Sequence, residues 1–163
     1  MQKHDFIFSP CAWIGDGKIQ LNMVDEELGF VTKWTVSERD PTGKIQCVQE
    51  IQVKGLSDVM HNEFSISNLT ANNFSIEMEN PAIGKIMGTG LISPAVIGWE
   101  FRVPEIGFEG FEFYEKQDDG SYLMRAEYAS SDQYRTLIRG KVWVQTKKDI
   151  QDEDEKEDTE EPL

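Results

Sequence analysis

The sequence predicts an all-β chain, folded as a single antiparallel up-and-down barrel of about ten strands, and three observations carry that expectation. Apolar and polar residues alternate with period two through nearly every segment, the interruptions carry turn residues, and helical apolar periodicity is hard to find. Short connections join successive strands as antiparallel neighbours, and a sheet of that many strands leaves two unpaired edges unless it closes.

The first strand is expected over residues 12–22. A second, over 28–37, places Leu28, Phe30, Thr32, Trp34 and Val36 on one face, and Arg39-Asp40-Pro41-Thr42-Gly43 then turns the chain. The third, over 44–53, groups Ile45, Cys47, Gln49, Ile51 and Val53. Gln49 is the polar member of that face, either satisfied by a neighbour or water, or offering a hydrogen bond inside a cavity.

Strands four and five, over 63–69 and 73–79, flank Thr70-Ala71-Asn72, with Phe74, Ile76 and Met78 alternating against Ser75, Glu77 and Glu79. Asn80-Pro81 ends the fifth. The sixth, over 85–92, contains Gly88 and Gly90, which in a strand signal a bend, a bulge or the close approach of another backbone. The last four run over 98–103, 108–115, 121–129 and 134–144.

The stretch WEFRVPEIGFEGFEFYE, residues 99–115, raises the question of which face looks inward. Pairing across Pro104 to Gly107 sets Phe101 opposite Phe111 and Trp99 opposite Phe113. A two-residue Asp119-Gly120 turn then sets Phe113 against Ala126 and Phe111 against Tyr128. One face so collects Trp99, Phe101, Phe111, Phe113, Met124, Ala126, Tyr128, Ile138 and Val142; the other collects Glu100, Arg102, Glu112, Tyr114, Arg125, Glu127, Arg135 and Arg139. Burying a large apolar side chain contributes roughly 1.5–3 kcal/mol, whereas burying an unpaired charge costs several, so the aromatic face is expected inside. The alternative is a wet interior with paired charges around a charged ligand.

The formal net charge of −14 is concentrated at the C-terminal end. Residues 149–163 hold nine acids against one lysine, giving −8 and leaving −6 for residues 1–148. The expected organisation is a barrel domain over 1–148 and a disordered acidic tail over 149–163, too poor in apolar residues to offset the entropy of ordering. The tail is either a solvating segment or an arm for a basic protein partner. An acidic body without basic clusters excludes nucleic acid as a partner. No stretch has the length of an apolar membrane helix and no secretory pattern is present, so the expected location is cytoplasmic with no membrane partner. Cys11 and Cys47 lack the spacing of a metal or redox pair and are read as reduced thiols; no metal site is expected.

The opening CAWIGDGKI resembles the start of small calycin-group barrels, which include lipocalins, fatty-acid-binding proteins and nitrobindin-like haem barrels. Trp13, Gly15 and Gly17 match the WxGxG part of the nitrobindin-like pattern, with Cys11 where its first glycine stands. The resemblance implies a tryptophan closing the barrel floor and an apolar ligand within. It departs from the fatty-acid-binding proteins, because residues 23–27 are too short for a helical lid. It departs from the haem barrels, because His4 and His61 are the only histidines and neither lies near the C-terminal end; no cofactor is therefore expected.

No nucleophile elbow, zinc motif or triad is present, and no catalytic residue is assigned. The expected function is non-enzymatic binding of a small, largely apolar ligand, with Trp34, Trp99, Phe101, Phe111, Phe113 and Tyr128 lining the cavity and Gln49 orienting the guest. The alternative is a protein-interaction module with a self-filled barrel, using its charged face or acidic tail. A third reading, an enzyme, requires Glu100 and Glu112 together inside.

Overall fold

A computed structural model describes residues 4–131 and 135–146. Among the described residues there are ten strands: β1 (Cys11–Leu21), β2 (Glu27–Val36), β3 (Ile45–Val53), β4 (Val59–Ser67), β5 (Asn73–Asn80), β6 (Gly84–Ile92), β7 (Val96–Val103), β8 (Phe108–Lys116), β9 (Tyr122–Ala129) and β10 (Arg135–Val144). Each pairs antiparallel with its sequence neighbours, and β1 pairs with β10, so the sheet closes as an up-and-down barrel. Among the described residues no helix is long and apolar enough to cross a membrane. The tail over 149–163 lies outside the described residues.

Alternation sorts the side chains as the period predicts. On β2, Phe30, Thr32, Trp34 and Val36 are buried; on β5, Phe74, Ile76 and Met78 are buried between partly or fully exposed polar residues. The fourth strand begins at Val59, earlier than expected, because Asn62 occupies an inward position and interrupts the apolar alternation that marks a strand.

Strand β8 corrects the expected register. Trp99 pairs with Glu112 and Phe101 with Gly110, while Phe111 pairs with Glu127 and Phe113 with Arg125, a one-residue shift against both neighbours. The turn chemistry explains both shifts. Pro104–Ile106 forms a 3-10 turn capped by left-handed Gly107 (φ 63°), a four-residue connection between Val103 and Phe108. At the next turn Gln117 N donates to the Ser121 carbonyl, and only Gly120 (φ 86°) has positive φ. A two-residue type I′ turn needs positive φ at both central residues, so the loop is instead the three residues Asp118-Asp119-Gly120. The two shifts invert β8 alone: Phe111 and Phe113 stand on the outer wall, with Phe113 43% exposed, and Glu112 and Tyr114 are buried inside.

One end of the barrel is filled by the segment before β1. Phe8 N and Ser9 N donate to the Asp5 carbonyl, and the turn so formed drives Phe6, Ile7 and Phe8 into the interior, each fully or nearly fully buried. Phe6 meets Trp13, Trp34, Tyr114 and Tyr122 at ring distances of 5.2, 5.3, 4.6 and 5.4 Å. His4 locks the segment: Nε2 donates to the Ser93 carbonyl at 2.6 Å, and Nδ1 lies 2.9 Å from the Tyr122 hydroxyl. Ile7 adopts φ 61°, a conformation that costs a non-glycine residue about 1–3 kcal/mol and is held by the packing around it. This plug fills one end of the barrel interior.

Truncating the plug's central ring should destabilise strongly. Phe6→Ala is expected to cost roughly 3–5 kcal/mol in urea unfolding, because the cavity left among four aromatic rings cannot collapse in a closed barrel.

Candidate functional site

The other half of the barrel holds a chamber of about 240 Å³, lined chiefly by Ile19, Phe30, Ile51, Met78, Phe108 and Ile138, with a smaller set of polar groups. Met60 points inward at its rim yet is 51% exposed, whereas inward residues at the plugged end, such as Ile45 and Ile97, are sealed. The contrast locates the mouth among the loops opposite the plug.

A polar ladder crosses one wall of the chamber from β5 to β2, and its direction is fixed at one end. Asn80 Oδ1 accepts the backbone N–H groups of Ala82 and Ile83 at 3.0 and 2.8 Å, so the other atom of that amide must be the donor. Asn80 Nδ2 then donates to Asn62 Oδ1 (3.1 Å), Asn62 Nδ2 to Gln49 Oε1 (3.1 Å), and Gln49 Nε2 reaches Thr32 Oγ1 (3.4 Å). Thr32 ends the run by donating to the Glu50 carbonyl at 2.9 Å. Every amide oxygen is engaged, and each amide keeps a second N–H.

On the opposite wall, β8 brings Glu112 into the chamber lining with a side chain almost wholly buried. Its carboxylate accepts from Trp99 Nε1 at 3.2 Å, from the Tyr114 hydroxyl at 2.9 Å and from the Tyr128 hydroxyl. Gly110 permits this arrangement, since a Cβ there would stand 2.1 Å from the Tyr128 ring. Burial pushes the Glu112 carboxyl above the usual carboxylate range, and the three donors pull it back only in part. Burial, reinforced by the neighbouring carboxylate, lifts the Tyr114 and Tyr128 phenols well above their ordinary value, so both remain donors.

Of the residues expected to line a cavity, Gln49 and Tyr128 face this chamber. Trp34 and Trp99 lie inside, in the packed aromatic layer with Phe64 and Tyr114, and Phe101 is buried against Gly88. Phe111 and Phe113 are outside, for the reason of register given above. Glu100 is exposed on the outer wall, so it forms no carboxylate pair with Glu112. His61 is likewise exposed, beside Glu50. Cys47 is a free, sealed thiol whose burial pushes it up to about 12. Among the described residues no group of three metal-ligating side chains converges.

Asn62, Asn80 and Glu112 are the site residues that sequence reasoning missed as chamber groups. The inward positions of Asn62 and Asn80 follow from the parity of Phe64 and Met78, which was a usable signal; Glu112 required the turn geometry. Compared with known proteins, the chain matches no family model, and no curated protein matches its sequence.

The buried carboxyl gives stability a definite pH dependence. With its folded value raised, Glu112 contributes stability that is complete below the unfolded carboxylate range and is lost as pH rises through the folded value. Urea unfolding across pH 4–8 should therefore show this loss in the wild type, and a flatter profile in Glu112→Gln, whose amide can accept from Trp99 and Tyr128 and donate to Tyr114. Glu112→Ala should cost roughly 3 kcal/mol or more, because orphaned buried donors cost about 1–3 kcal/mol each.

Proposed function

We propose that the protein is a non-enzymatic binder of a small, largely apolar molecule, held in the chamber opposite the N-terminal plug. The observation that carries this reading is the division of the barrel into two halves. One half is packed by its own aromatics and the plug, while inward-facing residues of the other leave about 240 Å³ with mainly apolar lining and a few convergent polar groups. Pockets for drug-sized ligands run to roughly 300–1,000 Å³, so the guest is smaller than that class.

Several features support the reading. The polar groups sit on two facing walls, which suits orienting a guest rather than attacking one, and Glu112 has no second carboxyl beside it in the chamber lining among the described residues. The calycin likeness belongs to the same proposal: Trp13 stands at the start of β1, is buried, and closes the plugged end against Phe6 and Tyr122. Two unpaired thiols suit a reducing, cytoplasmic setting. The filled-barrel alternative describes the plugged half only.

Hexan-1-ol, a neutral probe of suitable size, should bind saturably at one site in isothermal titration, with a negative heat-capacity change from apolar burial. Ile138→Trp, which fills the chamber from β10, should weaken binding at least tenfold while leaving the urea midpoint close to wild type. Non-saturable heats, or binding indifferent to Ile138→Trp, would remove the carrier reading.

A further inference from the structure

Among the described residues Glu112 is the only carboxyl that lines the chamber, and no lysine, arginine or histidine lines it. Its three hydrogen-bond partners, Trp99, Tyr114 and Tyr128, are neutral donors. A buried anion in such a setting has hydrogen bonds without a counter-charge, and low-dielectric surroundings make that deficit large. The remaining neighbours add no cation: β9 contributes Ala126 opposite Glu112, and β7 contributes Trp99. A positive charge entering with the guest would complete the site.

The geometry points to a small apolar primary amine as the guest, its ammonium group against Glu112 and its apolar body towards Ile138, Ile19 and Phe108. This inference rests on the carrier reading above and assigns that site its ligand class. Tyr128 and Phe108, whose stacked rings lie 5.7 Å apart, flank the same wall and add apolar surface for the body of the guest beside the carboxylate. The facing wall separates the two ends of the guest. The spare N–H groups of Gln49, Asn62 and Asn80 are donors, so an ammonium group is turned away from them and towards Glu112. A carboxylate guest could meet those donors, but only inside a chamber whose one fixed charge is of its own sign. The raised Glu112 carboxyl agrees with this account, since it marks an anion that its present partners compensate incompletely.

Isothermal titration at pH 7 with hexylamine, hexan-1-ol and hexanoate tests the assignment on molecules of one chain length, the amine being charged there as a lysine side chain is. Hexylamine should bind at least tenfold more tightly than hexan-1-ol, and hexanoate should bind most weakly. Glu112→Gln should abolish the amine's advantage over the alcohol. Tyr128→Phe removes one neutral donor while keeping the carboxylate, so it should widen the amine preference, and it serves as an independent readout if Glu112→Gln folds poorly. Hexanoate binding as tightly as hexylamine, equal binding of amine and alcohol, or a preference unmoved in both variants would overturn the ligand class while leaving the carrier reading in place. If none of the three molecules binds, the carrier reading itself falls.

Discussion

In a β-strand a shift of one residue exchanges the two faces completely, and in this barrel that constraint falls on β8. The turns at its ends set its parity: a four-residue connection through left-handed Gly107, and a three-residue loop through left-handed Gly120. Because the two shifts cancel across the strand, β7 and β9 keep the faces that their own patterns dictate. Only β8 is inverted, and it carries Glu112 and Tyr114 inward in place of Phe111 and Phe113. The carboxylate on that wall of the chamber depends on those two turns.

The inversion exchanges apolar burial for connectivity. Two phenylalanines give up part of their burial on the outer wall, where Phe111 and Phe113 lie 5.2 Å apart. In return Tyr114 stacks on Trp99 at 5.1 Å and meets the plug through Phe6, while its hydroxyl reaches Glu112. Tyr114 thus belongs to both halves of the barrel, with its ring in the packed aromatic layer and its oxygen at the edge of the chamber. A buried carboxylate is tolerable only with several donors about it, and β8 supplies one from its own strand while β7 and β9 supply the others.

The ten strands were legible because period-two alternation is strong on β2, β3 and β5 and because the interruptions hold Gly, Pro, Asn and Asp. The parity of β8 was not, since both of its faces carry large aromatics and the composition of a face cannot choose between them. Asp119-Gly120 reads equally as a two-residue turn or as the end of a three-residue one, and the sign of φ at Asp119 decides which. The plug escaped notice for a different reason: Phe6-Ile7-Phe8 is too short for a periodic signal, and its value lies in four aromatic partners, three of them far away in sequence. Gln49 was recognised as a polar residue on an apolar face. Asn62 and Asn80 were not, because asparagine beside a strand reads as a turn residue.

The ladder shows how a local turn reaches into the chamber. Asn80 closes the β5–β6 connection by accepting two backbone N–H groups, and that duty fixes which side of its amide is oxygen. Each further amide is then forced into one orientation, through Asn62 and Gln49 to Thr32 and the carbonyl of Glu50. Reversing any one member would set two donors or two acceptors face to face in a largely buried run, at a cost of about 1–3 kcal/mol for each unsatisfied group. The wall therefore presents spare donors, and the opposite wall presents a carboxylate. That asymmetry is imposed by the backbone of residues 80–83 and by the parity of β8, two features distant in sequence that the closed barrel brings to face each other across one space.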